Sequence, residues 1–370
     1  MDWSALRHRL RRDHLLQVLL LLVLVLAIAN PRAPVEYLRW LDLRTLAGLC
    51  GLLILTQGVR RSGHVQRFAL HLVARLHSVR MLAFVLVLLA AALATVLTND
   101  VALFLIVPLT LAIDRIARIP RQRLVIFEAL AVNAGSTFSP IGNPQNLLLW
   151  QHSGLGFFGY VVALAPTAAV LLTVLLLVCG VAFPKTPLQL HQESVERAPL
   201  DSPLFTGSVL LLGAMVAALQ FGVAIPAALI VIAIGVLFFR QVLAGVDWLL
   251  LVTFAAMFVG LGHLAALPWV QVHVGALAWH DPRVTYAGGI ALAQLISNVP
   301  AAVALQHYAP NLTLLAAAVN VGGSGLMIGS LANLIAMRLD GSPGIGWRFH
   351  AWSAPYLVIT AVLVALVVLR

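Results

Sequence analysis

Apolar residues run along this chain in long blocks, broken at intervals by short clusters of Arg, Gly, Pro and Asn. A block of about 20 mostly apolar residues is long enough to cross a bilayer as a helix. On that basis the pattern predicts spans near 15–29, 43–59, 124–150, 157–183, 204–220, 223–239, 246–262, 312–337 and 349–369. Two further apolar stretches, 81–114 and 284–308, are interrupted in the middle by Thr98-Asn99-Asp100 and by Ser297-Asn298-Val299-Pro300. Each reads as a re-entrant hairpin that enters the lipid and returns on the same side. The segment 63–77 scatters Arg and His among apolar residues and reads as an interfacial amphipathic helix. The predicted fold class is an all-α polytopic membrane protein.

The chain also repeats itself. The run Asn133, Gly135, Ser136, Thr137, Gly142, Asn143, Asn146 aligns with Asn320, Gly322, Gly323, Ser324, Gly329, Ser330, Asn333 at a constant offset of 187. Each copy follows one interrupted stretch. Asp42 and Asp247 each open a span further upstream, and both read as interfacial. Four full spans separate 43–59 from 246–262, so equivalent spans run in opposite directions and the repeats are inverted. The expected organisation is a first repeat at 1–183 with hairpin 81–114 and broken helix 122–150. A cytoplasmic linker at 184–203 leads to a second repeat at 204–370, with hairpin 284–308 and broken helix 312–337. That makes about nine transmembrane helices, two re-entrant hairpins and two discontinuous helices.

Composition decides what surrounds this fold. Of the 370 residues, 61% are hydrophobic and 10% charged, against about 25% charged in soluble proteins. Too little charge remains to cover a water-facing surface, so lipid is the main solvent. The net charge of +10 excludes nucleic acid as a partner once its placement is considered: the Arg residues lie in short gaps between apolar runs, not on a folded basic face. With the N-terminus inside, 18 Lys and Arg fall on the inner side and 5 on the outer, as the positive-inside rule requires. Moving Arg115 to Arg123 outside would weaken that bias, which favours a hairpin at 81–114. The first 29 residues, with Arg7, Arg9, Arg11 and Arg12 before an apolar run, read either as a cleaved signal or as a retained first span. Cys50 and Cys179 sit within apolar runs and read as packing residues, with no disulfide or metal.

Gly, Ser and Pro at 135–142 and Gly at 322–329 are poor residues for a helix interior. Both clusters should unwind a helix in mid-membrane, where irregular backbone is tolerated only inside protein or beside a wet cavity. Asn143 before Pro144 reads as a helix cap and restart, and Ser330 is its equivalent. Asn99 and Asn298 read as caps of the second hairpin arms. Four helix N-termini would then converge, favouring an anion, with unwound carbonyls favouring a cation. Among ionisable groups, Asp100 at the first hairpin tip either binds a cation or proton or caps its own arm. Glu128 is either a coupling carboxylate or the partner of Arg123. His263 and His307 are either titrating groups or satisfied polar contacts.

At these motifs the chain resembles the ArsB/NhaD and citrate-transporter-like part of the ion transporter superfamily, which also contains the divalent anion:sodium symporters. The matching stretches run from Leu97 to Phe104, Phe127 to Gly135, Pro140 to Asn146, Ser297 to Pro300 and Gly329 to Ile335. The resemblance implies a scaffold part and a moving part that holds both hairpins, an elevator-like cycle, a homodimer and a bacterial inner membrane. In the dicarboxylate branch, Ser-Asn-Thr at each hairpin tip binds sodium and substrate. By position that role falls here on Thr98, Asn99 and Asp100, and on Ser297, Asn298 and Val299. Asp100 adds a charge where that branch has Thr, and Val299 removes a hydroxyl, so one Na+ site at Asn99 and Asp100, or proton coupling, replaces two equivalent sodium sites.

The expected function is cation-coupled transport of a small inorganic or organic anion, with Na+ or H+ as the coupling ion and no cofactor. A sodium/proton antiporter is the alternative. Metalloprotease and serine-hydrolase motifs are absent from the sequence, which leaves an intramembrane enzyme, like a channel, as a distant reading.

Overall fold

The computed structural model describes residues 14–41, 43–190, 199–246 and 248–369. Asp42 and Asp247 lie outside the described residues, as do the arginines at 7, 9, 11 and 12. The described residues form nineteen α-helices, one 3-10 turn and two two-residue strands. They fall into two compact units.

One unit takes the residues up to Arg61 together with Thr206–Ala276. It holds α1 (His14–Ala29), α2 (Pro34–Trp40), α3 (Leu43–Arg61), most of α10 (Ser202–Gln220), α11 (Ala224–Phe238), α12 (Arg240–Ala244), α13 (Trp248–Ala265) and α14 (Pro268–Gly275). Within it, α11 and α13 pack on α3, and α13 packs on α1. His263 is fully buried on α13, where its ring stacks on Trp40 at 4.9 Å and Nε2 lies 2.9 Å from the Asn30 carbonyl. The contact reading of that residue therefore holds for Nε2 alone: Nδ1 is buried without a partner among the described residues.

The other unit takes Ser62–Phe205 and Leu277–Arg370. Its elements in chain order are α4 (His64–Arg75), α5 (Val79–Val96), α6 (Asn99–Asp114), β1 (Ala117–Arg118), α7 (Arg121–Ser136), α8 (Pro144–His152), α9 (Phe157–Ala182) and β2 (Gln189–Leu190). After Leu277 come α15 (Pro282–Ile296), α16 (Asn298–Leu305), α17 (Leu312–Gly322), the 3-10 turn Met327–Gly329, α18 (Leu331–Asp340) and α19 (Ile345–Val368). Every helix break named from the sequence falls in this unit.

Among the described residues, four helices are long and apolar enough to cross a membrane: α5, α9, α10 and α19. The pair α13 and α14, bent by 64° at Ala266–Leu267, makes a fifth if taken as one span. Helices α1, α11 and α17 are apolar but shorter, and α3 carries Arg44, Arg60 and Arg61 at its ends. Among the described residues, length and composition therefore support fewer spans than the nine expected, because 124–150 and 312–337 are divided between shorter helices and α1 and α11 are short.

The predicted linker is tied down at its start. β2 pairs antiparallel with β1, and Val79 and Arg80 donate backbone bonds to Thr186 and Pro184 at 3.0 and 3.1 Å. Cys50 and Cys179 are buried and unbonded.

Candidate functional site

The chain leaves the helix after Ser136 and re-enters at Pro144. It leaves again after Gly322 and re-enters at Leu331. Asn143 caps α8, its Oδ1 accepting from the Asn146 N–H at 2.8 Å. Ser330 caps α18, its Oγ accepting from the Ala332 N–H at 3.3 Å. Close approach of a neighbouring helix requires glycine at both exits. A Cβ on Gly135 would lie 2.1 Å from the Ala91 carbonyl oxygen of α5, and one on its counterpart Gly322 would lie 2.6 Å from Cβ of Ala293 on α15.

The starts of α6 and α16 differ from the sequence reading. Thr98, not Asn99, caps α6: its Oγ1 accepts from Val101 at 3.4 Å, while the Asn99 Oδ1 accepts from Asp100 N at 3.0 Å. Ser297, not Asn298, precedes α16, and the Asn298 Oδ1 accepts from Val299 N at 2.9 Å. The residue at the cap position is one earlier at both tips, because a side chain already inside the helix reaches only its neighbour's N–H. Ser297 has φ +74°, ψ 155° and makes no cap bond. Such a backbone is costly for any residue but glycine, and strain of this kind clusters at functional sites.

The two breaks are joined through their asparagines. Asn133 Nδ2 donates to Asn333 Oδ1 at 2.8 Å, and Asn320 Nδ2 donates to Asn146 Oδ1 at 2.6 Å. Asn143 Nδ2 donates to Asn320 Oδ1 at 2.9 Å, and Ser330 Oγ donates to Asn133 Oδ1 at 3.0 Å. Each bond in these two pairs turns into the other when its residues are shifted by 187 positions. The side chains of Asn133, Asn143, Asn146, Asn320, Ser330 and Asn333 are at most 3% exposed.

The helix tips close around this network. Asn99 N donates to the Gly142 carbonyl at 2.9 Å, so α6 begins beside the first break. A Cβ on Gly323 would lie 2.8 Å from Asn298 Nδ2, so α16 begins beside the second. Helix α6 also packs on α18, and α16 packs on α8. Asn99, Asn143, Asn298 and Ser330 are thus assembled in one place.

Among the described residues, Ser136, Thr137, Ser324, Gly329 and Asp100 make no bond between the two repeats. Thr137 Oγ1 turns back to the Asn133 carbonyl at 2.8 Å, and Ser136 Oγ accepts from Asn143 Nδ2 at 3.0 Å. Ser324 is fully buried and its hydroxyl is unpartnered among the described residues. Gly329 lies buried in the 3-10 turn. Asp100 is 8% exposed, with Oδ1 buried and unpartnered among the described residues.

Glu128 does not pair with Arg123. It is fully buried on α7, where its Oε1 accepts from the Thr110 hydroxyl of α6. Arg123 instead donates to the Ala182 carbonyl and lies over Trp352. The cause is helical phase: five residues along α7 turn Glu128 inward to α6 while Arg123 points toward α9.

Sequence reasoning missed two glutamines. Gln145 Nε2 reaches Asn320 Oδ1 at 3.3 Å and leaves its Oε1 buried and unpartnered among the described residues. Gln294 on α15 donates to the Gly322 carbonyl and accepts from Leu326 N at 2.6 Å, bracing the second break. Both stand next to the recognised motifs, and a polar residue inside an apolar run was the available signal.

A nearly all-helical chain with several apolar helices, folded around buried amides at two helix breaks, is a multi-pass membrane protein of the transporter class. The chain belongs to the citrate transporter family (CitMHS), which matches residues 12–311. It is 43% identical to the inner membrane protein YbiR of Escherichia coli over 353 residues, covering 95% of this chain and 94% of that protein. It is 30% identical to the transporter MJ0456 of Methanocaldococcus jannaschii over 352 residues, covering 93% and 94%. It is 25% identical to the transporter Rv2684 of Mycobacterium tuberculosis over 362 residues, covering 86% and 83%. The family is named for transporters, as are the Methanocaldococcus and Mycobacterium relatives, and the chain is a transporter and not an enzyme.

Proposed function

We propose that this chain is a secondary active transporter of a small anion, an oxyanion or a carboxylate, coupled to Na+ or H+. The carrying observation is the pair of exchangeable hydrogen bonds, Asn133 to Asn333 and Asn320 to Asn146. Contacts that map onto each other under the 187-residue offset support two repeats related by a pseudo-twofold axis. Inverted repeats with broken helices at a common centre are the architecture of alternating access.

The chemistry follows from what converges there. Helices α6, α8, α16 and α18 begin around the network, and first-turn N–H groups with a positive dipole end favour an anion. Oxygens favour the coupling cation, and Asp100 Oδ1, Gln145 Oε1 and Ser324 Oγ are buried oxygens without a protein partner among the described residues. The unit that contains all four helix starts is the transporting part, carried through the bilayer in an elevator-type cycle, and the other is the scaffold. The protein acts as a homodimer in the bacterial inner membrane with its N-terminus in the cytoplasm.

Proteoliposomes test this directly. Uptake of one labelled anion from a panel of oxyanions and carboxylates is expected only when an inward Na+ or pH gradient is imposed. Asp100→Asn should remove the dependence on the gradient while leaving detergent-solubilised protein folded. Uptake equally fast without any gradient would overturn the coupled reading.

Sodium/proton antiport is the second reading, favoured by two buried carboxylates in the same unit, Asp100 and Glu128, each with an unpartnered oxygen among the described residues. It predicts proton movement on addition of Na+ with no anion present, abolished by Asp100→Asn.

A further inference from the structure

Away from the amide network, the same unit contains a second polar feature. A pocket of about 690 Å³ opens where α7 and α19 begin, lined by Asp114, Arg121, Gln122, Arg123, Arg348 and Trp352 among others. The carboxylates near it are already engaged. Arg121 Nε donates to Asp340 at 2.9 Å and Nη1 to Asp114 at 3.0 Å, tying together the ends of α6, α7 and α18.

Arg123 and Arg348 are different. Arg123 donates to the Ala182 carbonyl, with its guanidinium 5.4 Å from the Trp352 ring centroid and 5.9 Å from that of Phe183. Arg348 donates to the side-chain amide of Gln122. Neither has a carboxylate within ion-pair distance among the described residues. Two guanidinium groups without counter-charges therefore line one concave surface.

The helix beside that surface is built to face lipid. Trp347 is 82% exposed at the start of α19, and Val358, Val362 and Leu366 are 63%, 56% and 60% exposed. The three aliphatic residues are spaced by four, so they form one stripe along α19. Trp347 stands at nearly the same angle three turns earlier. A tryptophan beside arginines at one end of an apolar helix marks the headgroup level of a membrane.

We propose that this pocket binds the phosphate of an anionic phospholipid, whose acyl chains lie along the exposed stripe of α19. A guanidinium matches phosphate oxygens with two parallel donors, and basic pockets between membrane helices hold anionic headgroups. The apolar stripe adjoining the pocket selects a lipid over a soluble anion, for which it would contribute nothing. Plain topogenic arginines would need no shared cavity.

Native mass spectrometry of the purified full-length protein, exchanged with phosphatidylglycerol or phosphatidylethanolamine, tests the assignment. The wild type should retain phosphatidylglycerol preferentially. Arg348→Gln, an exposed change that the fold tolerates, should weaken that retention roughly fivefold, and Arg123→Gln with Arg348→Gln roughly thirtyfold, phosphatidylethanolamine being unaffected. Arg283→Gln, an exposed arginine elsewhere, should change nothing. Unaltered retention in Arg348→Gln, or an equal loss in Arg283→Gln, would overturn the site. Displacement of phosphatidylglycerol by millimolar inorganic phosphate would overturn the lipid assignment in favour of a soluble anion.

Discussion

Asn133 and Asn320 act as paired centres, each donating to one asparagine and accepting from one cap residue across the breaks. Removing Asn133 strands Asn333 Oδ1 and the Ser330 hydroxyl hydrogen, and removing Asn320 strands Asn146 Oδ1 and Gln145 Nε2, at a cost of about 1–3 kcal/mol for each stranded group. Asn133→Ala and Asn320→Ala should therefore lower the thermal unfolding temperature of the purified protein by similar amounts. A loss confined to one of them would contradict the equivalence of the two positions. These residues were legible in the sequence because they occur twice at one offset. Gln145 and Gln294 occur without such a counterpart, and a single polar residue in an apolar run does not reveal which neighbour it meets. Glu128 shows the limit of spacing arguments: Arg123 is near it along the helix, yet Thr110 from another helix is its partner.

Between residues and the whole chain, the informative elements are the helix ends. Gly, Ser and Pro mark where α7 and α17 stop, since they are weak helix formers and suit caps. That is why the breaks could be read from the sequence. Close approach sets a stricter demand at Gly135, where any side chain meets the α5 backbone. Gly135→Val should separate α5 from α7 and destabilise the protein by about 1–3 kcal/mol, seen as a lower yield of monodisperse protein and a lower melting temperature. A substitution there without effect would show that α5 shifts freely. Short elements were not legible: α12, α14 and the β1–β2 pair are too brief for periodicity to register. Thr98 and Ser297, not the asparagines after them, precede the helices at the tips, a one-residue distinction that only backbone geometry makes.

For the molecule as a whole, orientation in the membrane carries the testable consequence. The proposed topology has Arg118 on the cytoplasmic side and Arg283 outside, and both residues are exposed. Cysteines placed singly at these positions, in a background lacking Cys50 and Cys179, should react with an impermeant thiol reagent from opposite sides. Arg118→Cys is expected to label only in inside-out vesicles and Arg283→Cys only in right-side-out vesicles. Labelling of both from one side would reject the proposed topology. The division into two units interleaves the halves of the chain, each unit drawing segments from before and after the linker. No local pattern states that interleaving.

The sequence by itself determined the solvent, the helical class, the duplicated motif and the residues at which helices break. Each of these follows from composition or from local backbone preference, which act over a few residues. Only the tertiary structure decided which asparagine meets which, that Glu128 turns to Thr110, that the linker is stitched to the strand before α7, and that Arg123 and Arg348 share a pocket. Those outcomes depend on contacts between residues far apart in the chain, and hydrogen bonds and packing select partners by distance and direction, which a linear order of residues does not contain.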